Sequence, residues 1–245
     1  MKPDLLAQTN FVTTYLSKLG PNPDEDWQYD PAVRRAHLDR LWEFARTLPP
    51  VHNSIKAHVL YQRLLLDRSQ GVFDKDRFLT YIKLPRSVSY INPKYISTNE
   101  QRRYMVNLGS NYSAYTMLGP IGNDEPLVRS FLQHFFVEED SWKPYATYIR
   151  DTYLKPLFAE TKLVNGIGDM EQWYSMLSPS AYRALKERVD IDFAATNKVI
   201  FGADEPVTLD VYVKNAGATG LFVKVYEINA FNYFRDAGRD VNTDI

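Results

Sequence analysis

The hydrophobic rhythm of this chain changes near Asp190, and no other feature restricts its fold as much. Before that point apolar residues recur every three to four positions, the period of a helix with one buried face. After it they alternate: Val207, Leu209, Val211 and Val213 interleave with Thr208, Asp210, Tyr212 and Lys214, which puts each set on one face of a strand. Lys214 through Gly220 supply turn chemistry and Leu221, Val223 and Val225 alternate again, so the pattern predicts a β-hairpin. The expected fold class is α+β: a mainly helical, bundle-like domain over residues 1–189, then an incomplete antiparallel β-sandwich over residues 190–245, truncated at the C-terminus.

Capping residues place the helices. Residues 21–26, proline-broken and acidic, separate a short N-terminal helix from the next element. Asp30 before Pro31 is an N-cap with proline at the first helical position. Val33, His37, Leu41, Phe44 and Leu48 then fall on one stripe, with Asp39, Glu43 and Arg46 opposite, as far as Pro49-Pro50. A helix opened by Asn53 or Ser54 carries Ile55, Val59, Leu60, Tyr61, Leu64, Leu65 and Leu66 nearly all round, the mark of a bundle centre. Asp74 caps a short helix through Phe78, Leu79 and Ile82. Residues 87–122 carry scattered tyrosines among Asn and Ser, with helical character at residues 100–108. Periodicity returns at residues 127–137, 141–156 and 178–189, the last with a Ser178-Pro179 start.

An apolar fraction of 44% and a charged fraction of 24% are those of a folding chain, not a disordered one. Lys and Arg (29) nearly balance Asp and Glu (30), so no general field draws the protein to nucleic acid or anionic lipid. The absence of cysteine removes disulfides, thiolate catalysis and Cys-containing metal sites. No apolar run reaches the length of a membrane span.

The run 201–211 (FGADEPVTLDV), followed by Lys214-Asn215 and by Val223-Lys224-Val225-Tyr226, resembles the early strands of a macroglobulin-type or immunoglobulin-like sandwich domain. Such domains recur in large bacterial alpha-2-macroglobulin-like and uncharacterised multidomain proteins, and the resemblance implies an extracytoplasmic, periplasmic or cell-envelope location. The thioester of that family needs a cysteine, so no covalent trapping carries over. Sandwiches of this kind have about seven strands, more than the residues after Asp190 offer. The chain closes on Asn242-Thr243-Asp244-Ile245 with no polar tail, from which further polypeptide is expected to complete the sheet.

No catalytic, cofactor-binding or metal-ligating residue is assigned. His37 and His58 lie on apolar stripes and read as core residues. His52 and His134 stand apart, and no two histidines have the i, i+4 spacing that shares a metal. Asp74 with Asp76 reads as a helix start and Asp190 with Asp192 as a strand entry. Residues 67–71 lack the glycine and glutamate positions of a calcium loop. Gly119-Pro120-Ile121-Gly122 precedes a helix, but Asp124 and Glu125 repel phosphate there and Pro126 removes a donor.

Aromatic content is the unusual feature, with 17 tyrosines and four tryptophans. Tyr145, Tyr148 and Tyr153 share a helical face and Trp173-Tyr174 follow a turn. Such a set reads first as core or rim packing and second as an aromatic binding face. The function expected is a non-enzymatic structural or interaction module of a larger protein, its partners being other domains of the same polypeptide, a protein or a polysaccharide. The alternative is a glycan-binding or glycan-processing domain with an aromatic groove. No cofactor, nucleic-acid partner or membrane insertion is expected.

Overall fold

The computed structural model describes residues 3–22, 24–217 and 221–239. Helices dominate, joined by one small two-stranded antiparallel sheet. The helices are α1 Pro3–Leu6, α2 Thr9–Lys18, α3 Pro31–Ala45, α4 Asn53–Ser69, α5 Lys75–Ile82, α6 Asn99–Arg103, α7 Ser113–Thr116, α8 Glu125–Glu138, α9 Asp151–Val164, α10 Met170–Ser175, α11 Pro179–Glu187 and α12 Ala230–Ala237. The strands are β1 Asp190–Phe193 and β2 Val211–Lys214.

Local chemistry starts the helices where the caps are. Asp30 Oδ1 accepts from the Ala32 and Val33 amides at 2.8 and 3.3 Å with Pro31 at the first helical position. Asp74 caps α5 through the Arg77 amide (2.9 Å), Asp169 caps α10 and Ser178 caps α11. Each satisfies a donor the first turn leaves unpaired, a device that stabilises by about 1 kcal/mol.

Two hydrophobic cores form, and α4 belongs to both. Ala57, Leu60 and Leu64 enter a core with Phe78, Tyr81, Phe131, Leu132, Phe136, Leu154 and Phe158. Ile55, Val59 and Leu66, on its other side, pack with Val12, Leu16, Leu38, Leu41, Phe44 and Leu118. That is why α4 is apolar around most of its circumference. An ion-pair string stitches it to its neighbours. Buried Asp67 lies between Arg63 (3.2 Å) and Arg77, Arg63 reaches Asp39 on α3 (2.8 Å), and Arg77 reaches Asp74 (3.1 Å).

Several elements differ from the sequence pattern. Helical structure expected over residues 100–108 is confined to α6. The stretch 141–156 is a single 3-10 turn at Lys143–Tyr145 followed by α9, with Pro156 inside the helix. The hairpin expected between residues 207–213 and 221–225 is replaced by the pairing of β1 with β2, in the register Ile191↔Val213 and Phe193↔Val211. Alternation reports which face a side chain takes, not which strand lies beside it. Val207 and Leu209 lie outside the ladder, residues 221–229 carry no assigned strand, and the tail then turns helical at α12. Among the described residues the sheet has two strands, and no sandwich is shown. The turn residues 218–220 and the closing Asn242-Thr243-Asp244-Ile245 lie outside the described residues.

Candidate interaction surface

Most of the polar residues that attract attention in the sequence are spent inside. Asp124, one residue before α8, is 1% exposed, and its Oδ2 receives the Arg86 guanidinium (2.6 Å), the Tyr81 hydroxyl (2.7 Å) and the Tyr90 hydroxyl (2.8 Å). Arg86, fully buried, also donates to the Leu84 carbonyl (3.1 Å) and to the Tyr81 carbonyl, and lies 4.0 Å from the Tyr81 ring centroid. Burial, reinforced by the Asp124 carboxylate, holds both phenols well above the usual tyrosine range, so they remain donors. This cluster pins the irregular stretch 83–124 to the first core, along with main-chain bonds such as Val106 N–H to Pro85 O (2.7 Å). It is closed to a ligand and reads as structural, although Asp124 Oδ1 has no protein partner.

His37, His52, His58 and Asp67 are likewise buried, whereas His134, Asp76 and Asp192 stay exposed. His37 and His58 meet at Thr116, and His134 stacks on Phe73 with ring centroids 3.8 Å apart. Asp67 is an ion-pair partner, not a calcium ligand. Among the described residues no group of three or more His, Asp or Glu could hold a metal.

The aromatic residues singled out from the sequence do not share one face. Tyr145 is fully buried and donates to Glu139 Oε1 (2.8 Å). Half-buried Tyr148 meets Tyr95 edge-on at 5.0 Å. Tyr153 donates to Glu125 Oε1 (2.6 Å), and burial together with that carboxylate raises its pKa. Trp173 donates to the Ile167 carbonyl (2.7 Å) and packs on Phe158, whereas exposed Tyr174 meets Tyr182 at 4.8 Å. The sequence separates these residues by helical spacing; the break at residues 146–150 sends them to different neighbours.

Residues 189–239 have the opposite character. Directly opposed residues of the ribbon share a face, so Ile191, Phe193, Val211 and Val213 form an apolar one. Of these, Ile191 is 50% and Phe193 66% exposed. Beyond β2, Phe222, Val223, Val225, Tyr226, Phe231 and Phe234 are all exposed. α12 is well formed, with Asn229 capping its start and Gly238 at φ 65° closing its end, yet it buries no residue. Isolated apolar side chains at a surface are ordinary; a succession over one segment marks a contact surface.

Between this segment and the helical body runs an opening of about 880 Å³, lined among others by Arg68, Arg129, Glu160, Arg188, Asp192 and Tyr212. Its charges are largely neutralised in place: Arg129 pairs with Glu160 (2.7 Å) and Arg188 with Asp190 (2.5 Å), while Glu125 receives the Tyr153 hydroxyl. Carboxylates so engaged form no poised acid–base pair. The ribbon is tied to α11 by Lys214 donating to the Leu185 carbonyl and by Asn215 donating to the Lys186 and Arg188 carbonyls (both 3.0 Å).

Residues 1–189 match the family model described as the actin-binding protein F N-terminal domain. The chain belongs to that family. Actin-binding protein F of Dictyostelium discoideum is 29% identical over 240 residues, an alignment covering 96% of this chain and 10% of that protein. The chain thus spans about a tenth of the length of the curated relative it matches. No solved structure matches it. The likeness to bacterial macroglobulin-type proteins is overturned by this membership, because it rested on an alternating pattern over residues 201–226 that many β-structures share. The bacterial origin and the extracytoplasmic, periplasmic or cell-envelope location drawn from it fall too. Among the described residues no helix of this family member is long and apolar enough to cross a membrane.

Proposed function

We propose that this chain is a non-enzymatic interaction module of a longer actin-binding protein, with actin and neighbouring domains of the same polypeptide as its partners. It works in the cytoplasm, on the cytoskeleton. The observation that carries the reading is family membership over residues 1–189, together with the printed name of the Dictyostelium relative. The geometry agrees, since the Arg86–Asp124 cluster is closed and Glu125, Glu160 and Asp190 on the opening beside the ribbon are engaged.

Within this reading residues 1–189 are a helical domain and residues 190–245 are part of a β-sandwich. Two observations support the division. The family match stops at residue 189, and exposed large apolar side chains, sparse before it, crowd the described residues after it. A two-stranded ribbon is marginal in water without a third strand or a covering layer, and the apolar face of β1 and β2 is of the kind such a layer covers.

Cosedimentation tests the actin partner. The purified chain should pellet with filamentous actin in a saturable manner and stay in the supernatant without it. A chain that remains soluble beside excess filaments at both low and moderate salt contradicts the proposal.

A further inference from the structure

The second core is closed by a segment that hangs on two neutral imidazoles. His37 on α3 and His58 on α4 both bring Nε2 to Thr116 in α7, at 3.0 Å to its carbonyl and 3.0 Å to its Oγ1 respectively. The Thr116 hydroxyl donates to the Tyr112 carbonyl (2.9 Å) and accepts from the Leu118 amide (3.3 Å). With that proton committed, each ring carries its own proton on Nε2 and donates it to Thr116. Nδ1 of each is then a bare lone pair, buried and without a hydrogen-bond partner. A second proton would sit on those atoms.

The surroundings do not favour a cation. His37 faces Arg34 and Arg40 of its own helix, the Trp27 ring edge-on at 5.5 Å, and the Leu19 carbonyl. His58 faces the Tyr112 ring at 5.4 Å and Thr116. Among the described residues no carboxylate enters the charge environment of either ring.

We propose that α7 and its flanks, residues 110–122, form a latch over the second core that proton uptake by His37 and His58 releases. The latch covers α2 and places Leu118 in that core beside Val12 and Leu16. Its exit turn is held by Met117 at φ 61°, a left-handed conformation strained for a residue with a side chain, and by Gln62 donating to the Gly119 carbonyl (2.7 Å). A charged ring keeps its Nε2 bond to Thr116, and what it adds is a charged Nδ1–H buried without an acceptor, which opening of the segment exposes to water.

Burial pushes the His58 pKa down from 6.5 to about 4, and burial lowers that of His37 as well, opposed by the Thr116 and Leu19 carbonyls. A depressed closed-state pKa favours the closed form fully above 6.5 and loses that advantage as pH falls towards 4. From the His58 shift the open-to-closed ratio rises about 20-fold between pH 7 and pH 5.

Amide hydrogen exchange on the whole chain, normalised for intrinsic exchange, reads the latch. Protection across residues 110–122 should fall about 20-fold by pH 5 while that of α8 holds, and the H37Q/H58Q double variant should lose the pH dependence. An equal fall in the double variant, or none in the native chain, overturns the proposal. Should the variant fail to fold, imidazole titration of the native chain by NMR decides: protonation of both rings below pH 5.5 supports the latch, and either ring titrating near 6.5 overturns it.

Discussion

Asp124 accepts three hydrogen bonds on one oxygen from residues 34 to 43 positions away, so single substitutions there test how the irregular stretch is held. Asp124→Ala strands the Arg86 guanidinium in a fully buried site and should cost about 3–5 kcal/mol, read as a lower thermal midpoint. Tyr81→Phe removes one donor and leaves the ion pair, so its cost should stop at roughly 1.5–3 kcal/mol. By contrast Glu43→Ala, in an exposed pair with Arg46 (2.7 Å), should change stability by less than about 1 kcal/mol. The three together separate burial from mere proximity of charges. None of this was legible in the sequence. Asp124 stood there as a residue that repels phosphate, and its true partners, Arg86 and two tyrosines, lie in a stretch with no readable period. Thr116 was equally silent, because its partners His37 and His58 sit 79 and 58 residues away.

At the scale of the element, legibility follows how local the deciding contact is. Asp30-Pro31, Asp74 and Ser178-Pro179 mark helix starts because a cap bonds to amides two or three residues on. The all-round apolar pattern of α4 places it between packed layers, and Leu64, fully buried, makes the point testable. Leu64→Ala should cost about 2–5 kcal/mol in a denaturant melt. The same truncation at Phe234, 54% exposed on α12, should fall within about 0.5 kcal/mol of the parent chain. A large loss at Phe234 means that α12 packs on the body. The ribbon shows where local reading stops: alternation at Val211 and Val213 gave the correct face and the wrong partner, since Asp190–Phe193, not residues 221–225, lies alongside.

For the whole molecule, a packed body gives way after α9 to α10 and α11, which bury no residue, and beyond residue 189 to a segment of exposed apolar side chains. The body satisfies itself: two cores share α4, and its buried charges are largely paired within it. The segment beyond carries a formed ribbon and a capped helix with their apolar sides turned out. The alternating tail was visible in the sequence, but its kinship was not, because a short two-residue rhythm is common to many β-structures whereas family membership is spread over 189 positions. Protease accessibility should follow the same division, with the first cuts of the native chain between residues 189 and 239 and a resistant helical fragment left behind.

The central claim is that residues 1–189 fold by themselves and the remainder waits for something to cover it. Heat denaturation of a chain ending at residue 189 beside the 245-residue chain tests this most directly. Equal midpoints and equal cooperativity are the predicted result. A shortened chain that melts well below the longer one, or without a cooperative transition, contradicts the account.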